Sequence, residues 1–586
     1  MLFFDCEVLK HDWMVVFLDM DSQQEIVIVN DSEKLSTFYE DNKERIWCGY
    51  NARHYDQYII KSILLGIDPY WTSTQIIEED KAGWMLSDAF NKVPLLIYDA
   101  MVNRMKGLKE LEAHMGNSIK ESSVSFKLQR KCTAIEIAEL IEYCKHDVYQ
   151  TVEVFMNQLE EYQAHIGLLT AFNLPLRYLN KTKAQLSAII LNARKSVRND
   201  EFNVCLPDTL KLKRYKHIAD WYLNPENHNY EKFQDVVVAG CHHIYGWGGV
   251  HGALDKYYGE GFFVMSDVAS LYPAIMIEYD FLSRNVKDPS KYRKIRDDRL
   301  VMKAQKNPMQ LPMKIVLNGT YGASKDKNNA LFDPLQANNV CIAGMTTLTM
   351  LIEMLEDEFG SDMLLVQSNT DGILVKLSHE KLFDRYKKVC DKWSELVRLD
   401  LEHDIYKKVI QKDVNNYVII DEKGKYKSKG AYVKKLNVMD YDLPIVNRAV
   451  VDYLVKGIPV EETINNENRL KEFQKIVKVS SKFNGGAVFG GEVVKEKLSD
   501  GKTLSKLIGG EPIPERVLRV FASRSRNDKT IYKLKDGKPN KVGNTAERCF
   551  IFNDDVNGVL APRKLDKGWY IDTAKDRLQK FLGYEV

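Results

Sequence analysis

A chain of 586 residues has room for several domains, and its 45% hydrophobic content can supply their cores. A net charge of +1 is low for a protein that holds a polyanion, so any such surface must be local and offset by acid elsewhere. Nine scattered cysteines point to a reducing cytoplasm and away from a disulfide framework, and the sequence shows no signal peptide, no membrane-spanning apolar run and no internal repeat.

Leu2-Phe3-Phe4-Asp5-Cys6-Glu7-Val8 has strand character, and residues two apart on a strand share a face, so Asp5 and Glu7 converge. A pair of this kind also arises often by chance. Gly49 to Asp56, which contains Asn51 and Tyr55, opens the apolar run Tyr58-Ile59-Ile60. From Glu136 to Glu160 the periodicity is helical, with Tyr143 and Asp147 four apart. Next comes Cys241-His242-His243-Ile244-Tyr245-Gly246-Trp247-Gly248-Gly249. Adjacent ligands without partner cysteine spacing make a poor tetrahedral zinc site. Glycines among aromatics instead let a backbone approach DNA while rings stack on bases.

Gly261 to Met265 reads as a strand with Asp267 at its downstream end, where a carboxylate reaches solvent and a divalent ion. The turn Val268 to Leu271, which includes Ser270, offers backbone N–H groups to phosphate oxygens, and Tyr272-Pro273 starts a helix, Ala274 to Glu278. Arg299 and Lys303 lie four apart, and Lys314, Asn318 and Tyr321 recur at spacings of four and three. With Asn307-Pro308 between them, these stretches predict a short antiparallel helix pair that aims Arg299, Lys303 and Lys314 into one cleft and leaves Lys306 solvated. Met363 to Val366 and Ile373 to Val375 flank Asn369-Thr370-Asp371-Gly372, a β-hairpin pattern. Alone the pattern reads as a tight turn; the functional reading places Asp371 at the hairpin tip beside Asp267, where two carboxylates can share a pair of Mg²⁺ ions. A basic C-terminal stretch, Arg516 to Lys535, reads equally as a DNA surface or as a solvated hairpin.

Taken together, the segments around Asp267, Lys314 to Gly322, and Asp371 resemble motifs A, B and C of family B DNA polymerases: D-x-x-S-L-Y-P, K-x3-N-x2-Y-G and x-T-D-x. Motif C usually reads D-T-D-S; here its first Asp is Asn369 and its Ser is Gly372, while the metal-binding second Asp matches Asp371. The pieces around Asp5, Asp56 and Asp147 resemble the Exo I, II and III motifs of the 3′→5′ proofreading exonuclease that precedes the polymerase in this family. The resemblance implies metal ligation by Asp267, Val268 and Asp371, and nucleotide binding by Ser270, Leu271, Tyr272, Arg299, Lys303, Lys314, Asn318 and Tyr321. It implies two further ions on Asp5, Glu7, Asp56 and Asp147, with Tyr143 orienting the attacking water. DNA contacts fall on Asn51, Tyr55, Tyr245, Gly248, Gly249 and Tyr417. Cys241 to Gly249 is similar to the family's Y-x-G-G linker, with Trp247 in the tyrosine's place. Asn415-Asn416-Tyr417 stands where K-x-Y contacts the primer, and Lys427, Lys429 and Gly430 are candidates for the missing phosphate contact.

The expected fold class is multidomain α/β and α+β: an RNase-H-like exonuclease (1–165), a connecting region and start of the palm (166–260), an antiparallel-sheet palm (261–284 and 341–440) interrupted by short helical fingers (285–340), and a thumb with the C-terminal region (441–586). About forty residues separate motifs A and B, too few for the insertions of protein-primed relatives. The resemblance implies a compact, single-subunit bacteriophage enzyme, monomeric, in the host cytoplasm and off the membrane. Its cofactor is Mg²⁺, two ions at each site, with Mn²⁺ able to substitute; its partners are primer–template DNA, dNTPs and viral replication proteins. The alternatives are a primer–template binding protein in which only the exonuclease works, and a nuclease whose C-terminal half merely holds DNA.

Overall fold

The computed structural model describes residues 1–101, 106–497 and 503–584. Its first sheet has the order β3-β2-β1-β4-β5, from β1 (Leu2–Val8), β2 (Trp13–Asp19), β3 (Gln24–Val29), β4 (Ile46–Gly49) and β5 (Leu96–Asp99). β1 is central, antiparallel to β2 and parallel to β4. Its alternating side chains feed two apolar layers. Phe3 meets Phe155 edge-on, while Phe4 packs against Phe17 and Trp47 on the other side. Phe155 belongs to the helix Ala134–Asn157, whose start is fixed by a reciprocal cap between Thr133 and Glu136. Asp5 and Glu7 share the Phe3 face, so they look toward this helix.

The second sheet has nine strands in the order β14-β13-β12-β9-β11-β10-β8-β7-β6, every neighbouring pair antiparallel. They are β6 (Phe233–Val238), β7 (Cys241–Gly246), β8 (Gly249–Ala253), β9 (Tyr257–Val268), β10 (Met363–Ser368), β11 (Gly372–Leu377), β12 (Leu401–Asp413), β13 (Asn416–Ile420) and β14 (Tyr426–Lys429). Between β9 and β10 the chain leaves the sheet as the helices Leu271–Glu278, Pro289–Ala304, Gln310–Lys325 and Pro334–Phe359. The middle two are tied by the Tyr292 hydroxyl, which donates to the Leu317 carbonyl at 2.8 Å. Pro334–Phe359 corrects the expectation that no apolar run is long enough to cross a membrane. The segment Pro334–Asp362 is long and apolar enough, and 94% of its apolar window is buried inside the protein. Its Thr346, Thr347 and Thr349 hydroxyls each donate to a carbonyl one turn back, so it sits as a spine in the main core without stranded polar groups.

A second core forms around Leu518, Phe521, Tyr570 and Phe581 of the C-terminal region, and Ile410, Val418 and Ile420 of β12 and β13 pack into it. The basic stretch of this region is mixed: Arg524, Arg526, Lys529 and Lys535 are exposed, and Arg519 is not. Arg519 is fully buried and donates to the carbonyls of Ala113, Asn117 and Asp554, tying the C-terminal region to the end of the helix Leu108–Met115. Arg516 and Lys533 likewise donate to the Phe483 and Lys478 carbonyls. A guanidinium has donors enough to satisfy several orphan carbonyls at once, which is why a cation can close this seam.

Candidate active sites

Asp267 ends β9 in the middle of the nine-stranded sheet, with Gly372 of β11 on one side and Glu402 of β12 on the other. Asp371 sits in the β10–β11 turn and is locked to β9 by its carbonyl, which accepts the Val268 N–H at 2.8 Å. The two carboxylates are therefore neighbours, 104 positions apart in sequence but one strand apart in the sheet. Burial pushes the Asp267 carboxyl up to about 6, and the Asp371 charge adds to the shift. Gly372 has a steric reason: a Cβ there would lie 2.0 Å from Asp267 Oδ1. The glycine that departs from the family pattern thus leaves room for the Asp267 carboxylate. Asn369 contributes its backbone N–H to the Gly372 carbonyl at 2.8 Å, and its side chain lies 3.4 Å from His251.

The Tyr272 and Tyr321 rings stack at 3.9 Å and 20°. Lys314 and Asn318 are exposed on the helix Gln310–Lys325, while Lys325, which the sequence reading missed, lies over the Tyr321 ring at 4.7 Å. Lys303 reaches toward Glu402 at 3.9 Å. Tyr417 on β13 is near enough to the carboxylates that Asp267 and Asp371, after burial, raise its phenol. Lys427 donates to Asp404 at 2.6 Å and opposes the upward shift of Asp267, so it brings positive charge to this cluster. Lys306 is exposed beyond its helix, at φ +55°.

Four expectations need correction. The Val268 and Ala269 N–H groups are not free for phosphate, because they donate to the Asp371 and Asp400 carbonyls. Ser270, in the left-handed region at φ +52°, then starts the helix Leu271–Glu278 without a side-chain cap. The Leu271 side chain is core, leaving its backbone as the group able to face a nucleotide. Arg299 is 8% exposed and points at Ser270 Oγ, 3.4 Å away, so it braces the turn from beneath. Tyr245 is fully buried, its hydroxyl 2.8 Å from Thr349 Oγ1, and Trp247 packs among Phe202, Trp221 and Tyr222. Tyr245 is core because β7 is an interior strand whose alternate residues face inward, and Trp247, in the following turn, is core because that ring cluster covers it; neither can stack on bases. Trp247 and Gly248 form the β7–β8 turn, and Gly249, which starts β8 at φ +151°, lies against Thr370 of the carboxylate turn. His243 is buried between the Cys241 carbonyl and Ser368 Oγ.

The second cluster lies between β1 and the helix Ala134–Asn157. Ligand atoms of Asp5, Glu7 and Cys144 all lie within 4.8 Å of one another, as do those of Glu112, His146 and Asp147. Cys144 is a donor here, because burial raises its thiol and Sγ sits 3.6 Å from Asp5 Oδ2. Asp56 starts the helix Asp56–Leu64 beside them. Burial raises Asp5 and Glu7 well above the usual carboxylate range, reinforced by Asp56 and Glu7 for the former and by Asp147 and Asp56 for the latter. Burial also pushes Asp56 up to about 7, and Asp147 up to about 6 against the opposing Lys109 charge.

Residues the sequence reading missed hold this cluster in shape. Lys109 pairs with Asp147, sits 3.4 Å from Glu112 Oε1 and lies over the Tyr143 ring at 4.5 Å. Asp99 accepts the N–H groups of Asn51, Arg53 and Met101, which fixes the loop that delivers Asp56 and leaves Asn51 at φ +62°. Tyr55 bonds Ser73 Oγ at 2.8 Å and, with Glu7, Tyr70 and Phe126, lines a cleft of about 560 Å³. No sequence signal singles out Glu112, since the helix Leu108–Met115 also carries Lys109, Glu110 and His114.

Four buried carboxylates with raised pKa values make the cation-free fold pay for their ionisation. Folded-state values above the unfolded range mean that this cluster destabilises the fold as pH rises through about 6 to 7, and ceases to once protonated. Mg²⁺ is therefore expected to raise Tm more at pH 8 than at pH 6, by roughly 2–4 °C per kcal/mol of binding. Asp5→Asn should raise the Tm of the cation-free protein at pH 8. An equal Mg²⁺ shift at both pH values would detach cation binding from this cluster.

No family model matches the chain, and no curated protein matches it. Among solved structures the chain is similar to the family B DNA polymerase from the hyperthermophilic archaeon Pyrobaculum calidifontis, at 13% sequence identity and a TM-score of 0.42, over 99% of this chain and 77% of that one.

Proposed function

We propose that the chain is a DNA-dependent DNA polymerase that adds dNTPs to a primer 3′ end and edits that end with a 3′→5′ exonuclease. The observation that carries this reading is the meeting of Asp267 and Asp371 where β9 and β11 pair, with Tyr272, whose phenol is raised by burial and in part by the Asp371 charge, stacked on Tyr321 close by. A second, wholly separate carboxylate cluster in the same chain supplies the editing half. Both donor sets are hard oxygens, which fit Mg²⁺ or Mn²⁺. Asp267 and Asp371 would hold such ions at one site and Asp5, Glu7, Asp56 and Asp147 at the other, and the ions when bound supply Lewis-acid stabilisation of a phosphoryl centre.

The chain's own residues do the rest. Lys314 offers a charge-assisted contact to triphosphate oxygens, and Tyr272, held by Tyr321, forms a wall against the sugar. Tyr143 holds a hydroxyl beside the editing carboxylates, where it can orient a water. The short interval between Asp267 and Lys314 supports synthesis without protein priming. The test is a labelled primer–template with Mg²⁺: lengthening with dNTPs and shortening without them. Shortening alone would leave a nuclease that merely holds DNA.

Tyr272 carries a finer prediction. RNA precursors differ from DNA precursors by the 2′-hydroxyl, so Tyr272→Ala should raise ribonucleotide incorporation by roughly 10–100-fold. Tyr272→Phe should keep most of the discrimination, because ring bulk does the excluding. Unchanged selectivity in the alanine variant would remove Tyr272 from the sugar's path.

A further inference from the structure

Three clefts run end to end along the flank where the N-terminal region meets the helix pair. The first, about 660 Å³, extends from Trp84 and Lys61 to Lys181. The second, also about 660 Å³, shares Lys181 and Gln185 with the first and reaches Lys291 and Asn328. The third, about 440 Å³, shares Asn328 and ends at Lys195 and Arg198. Shared lining residues make them one groove, and it includes none of the carboxylates of either candidate site.

Its charge is unusual for this chain. Arg53, Lys61, Lys181, Arg194, Lys287 and Lys291 line the first two clefts, and none of them forms an ion pair among the described residues. Nearby cations outside those two clefts do: Lys183 pairs with Glu161 and Lys294 with Asp298. Three acids share the lining, Asp80, Asp288 and Asp333; Asp288 is committed to capping the helix Pro289–Ala304 through Ser290, and Asp333 to pairing with Arg284. Burial pushes the Lys61 ammonium down to about 8, so an anion in the groove would strengthen its charge. Trp84 is 69% exposed at the mouth of the first cleft, a large ring presented to solvent among cations. Unpaired cations tracking a groove, an exposed aromatic platform and the amides of Gln185, Asn192 and Asn328 match the chemistry of an unpaired nucleic-acid strand: phosphates at regular intervals with bases free to stack. Duplex DNA would not offer its base faces to Trp84.

We propose that this groove binds a segment of single-stranded DNA outside both carboxylate sites. The binding stands on the groove itself; its use rests on the polymerase reading, since the strand is then either unpaired template ahead of the site or a strand peeled from downstream duplex. The full chain in EDTA, where neither site can cut, is titrated into a labelled oligo(dT) of about 20 nucleotides over roughly 50–200 mM salt. Replacing Lys181, Arg194 and Lys291 together by Ala should weaken binding at low salt by roughly tenfold or more and reduce the slope of log K against log salt by about 2. Trp84→Ala should cost about tenfold with the slope unchanged. Arg at both lysine positions should restore binding, which separates charge from folding. Unchanged affinity and slope in the triple variant would overturn the proposal.

Extension assays then assign the strand. A defect of the triple variant on long single-stranded templates marks template as the occupant, and a defect confined to templates carrying a downstream strand marks the displaced strand. Equal extension on both would overturn any part for the groove in synthesis. A chain that binds oligo(dT) through these residues yet never lengthens a primer would sink the polymerase reading and leave the groove standing.

Discussion

Asp371→Ala is expected to slow nucleotide addition by roughly a thousandfold or more, with Asp267→Ala at least as severe, while degradation of single-stranded DNA continues. The reason lies in the sheet. Asp267 and Asp371 approach from β9 and from the β10–β11 turn, and burial with mutual repulsion already raises Asp267 to about 6. A site that strains its own carboxylates is built to receive cations, and losing one ligand forfeits several kcal/mol of transition-state stabilisation, each 1.36 kcal/mol being about tenfold in rate. Because Asp267 must be ionised to hold a cation, addition should also fall as pH drops below about 6 in the wild type. Asn369→Ala should be far milder, since Asn369 contributes mainly its backbone N–H. Single-turnover addition is the measurement, and a normal rate in Asp371→Ala would remove this turn from the chemistry.

Asp5→Ala combined with Glu7→Ala should abolish 3′→5′ trimming of a mismatched primer, by roughly a thousandfold or more, and leave extension of a matched primer intact. Both residues lie on one face of β1, beneath the helix that carries Tyr143 and Asp147, and among the described residues no hydrogen bond or ion pair joins this cluster to the Asp267 site. The two carboxylates act on one centre, so either single variant should cost nearly as much as the pair. Tyr143→Phe should slow trimming without ending it, because the ring keeps its place over Lys109 and only the hydroxyl is lost. A double variant that still trims would sink the editing assignment.

Much of this geometry was legible in the sequence because it is local. An Asp-x-Glu pair on a strand must share a face, an Asp-Gly pair between apolar runs makes a hairpin, and Lys314, Asn318 and Tyr321 fall on one side of a helix whatever surrounds them. What the sequence by itself determined was therefore the kind of element each chemical group rides on. Which groups meet was decided by the tertiary structure. Asp267 joins Asp371 through the β9–β11 register, Lys109 and Glu112 join Asp147 from a separate helix, and Asp99 pins the loop bearing Asp56 from another strand. Burial was decided there too. Tyr245 and Trp247 have the composition of a base-stacking turn, yet Tyr245 faces inward from an interior strand and Trp247 packs on Phe202, Trp221 and Tyr222, so both are core. Arg519 has the composition of a DNA contact and instead closes a domain seam. Local periodicity sets the direction of a side chain relative to its own backbone; whether that direction leads to solvent, a cation or another side chain depends on strand order and helix docking, which long-range packing alone supplies.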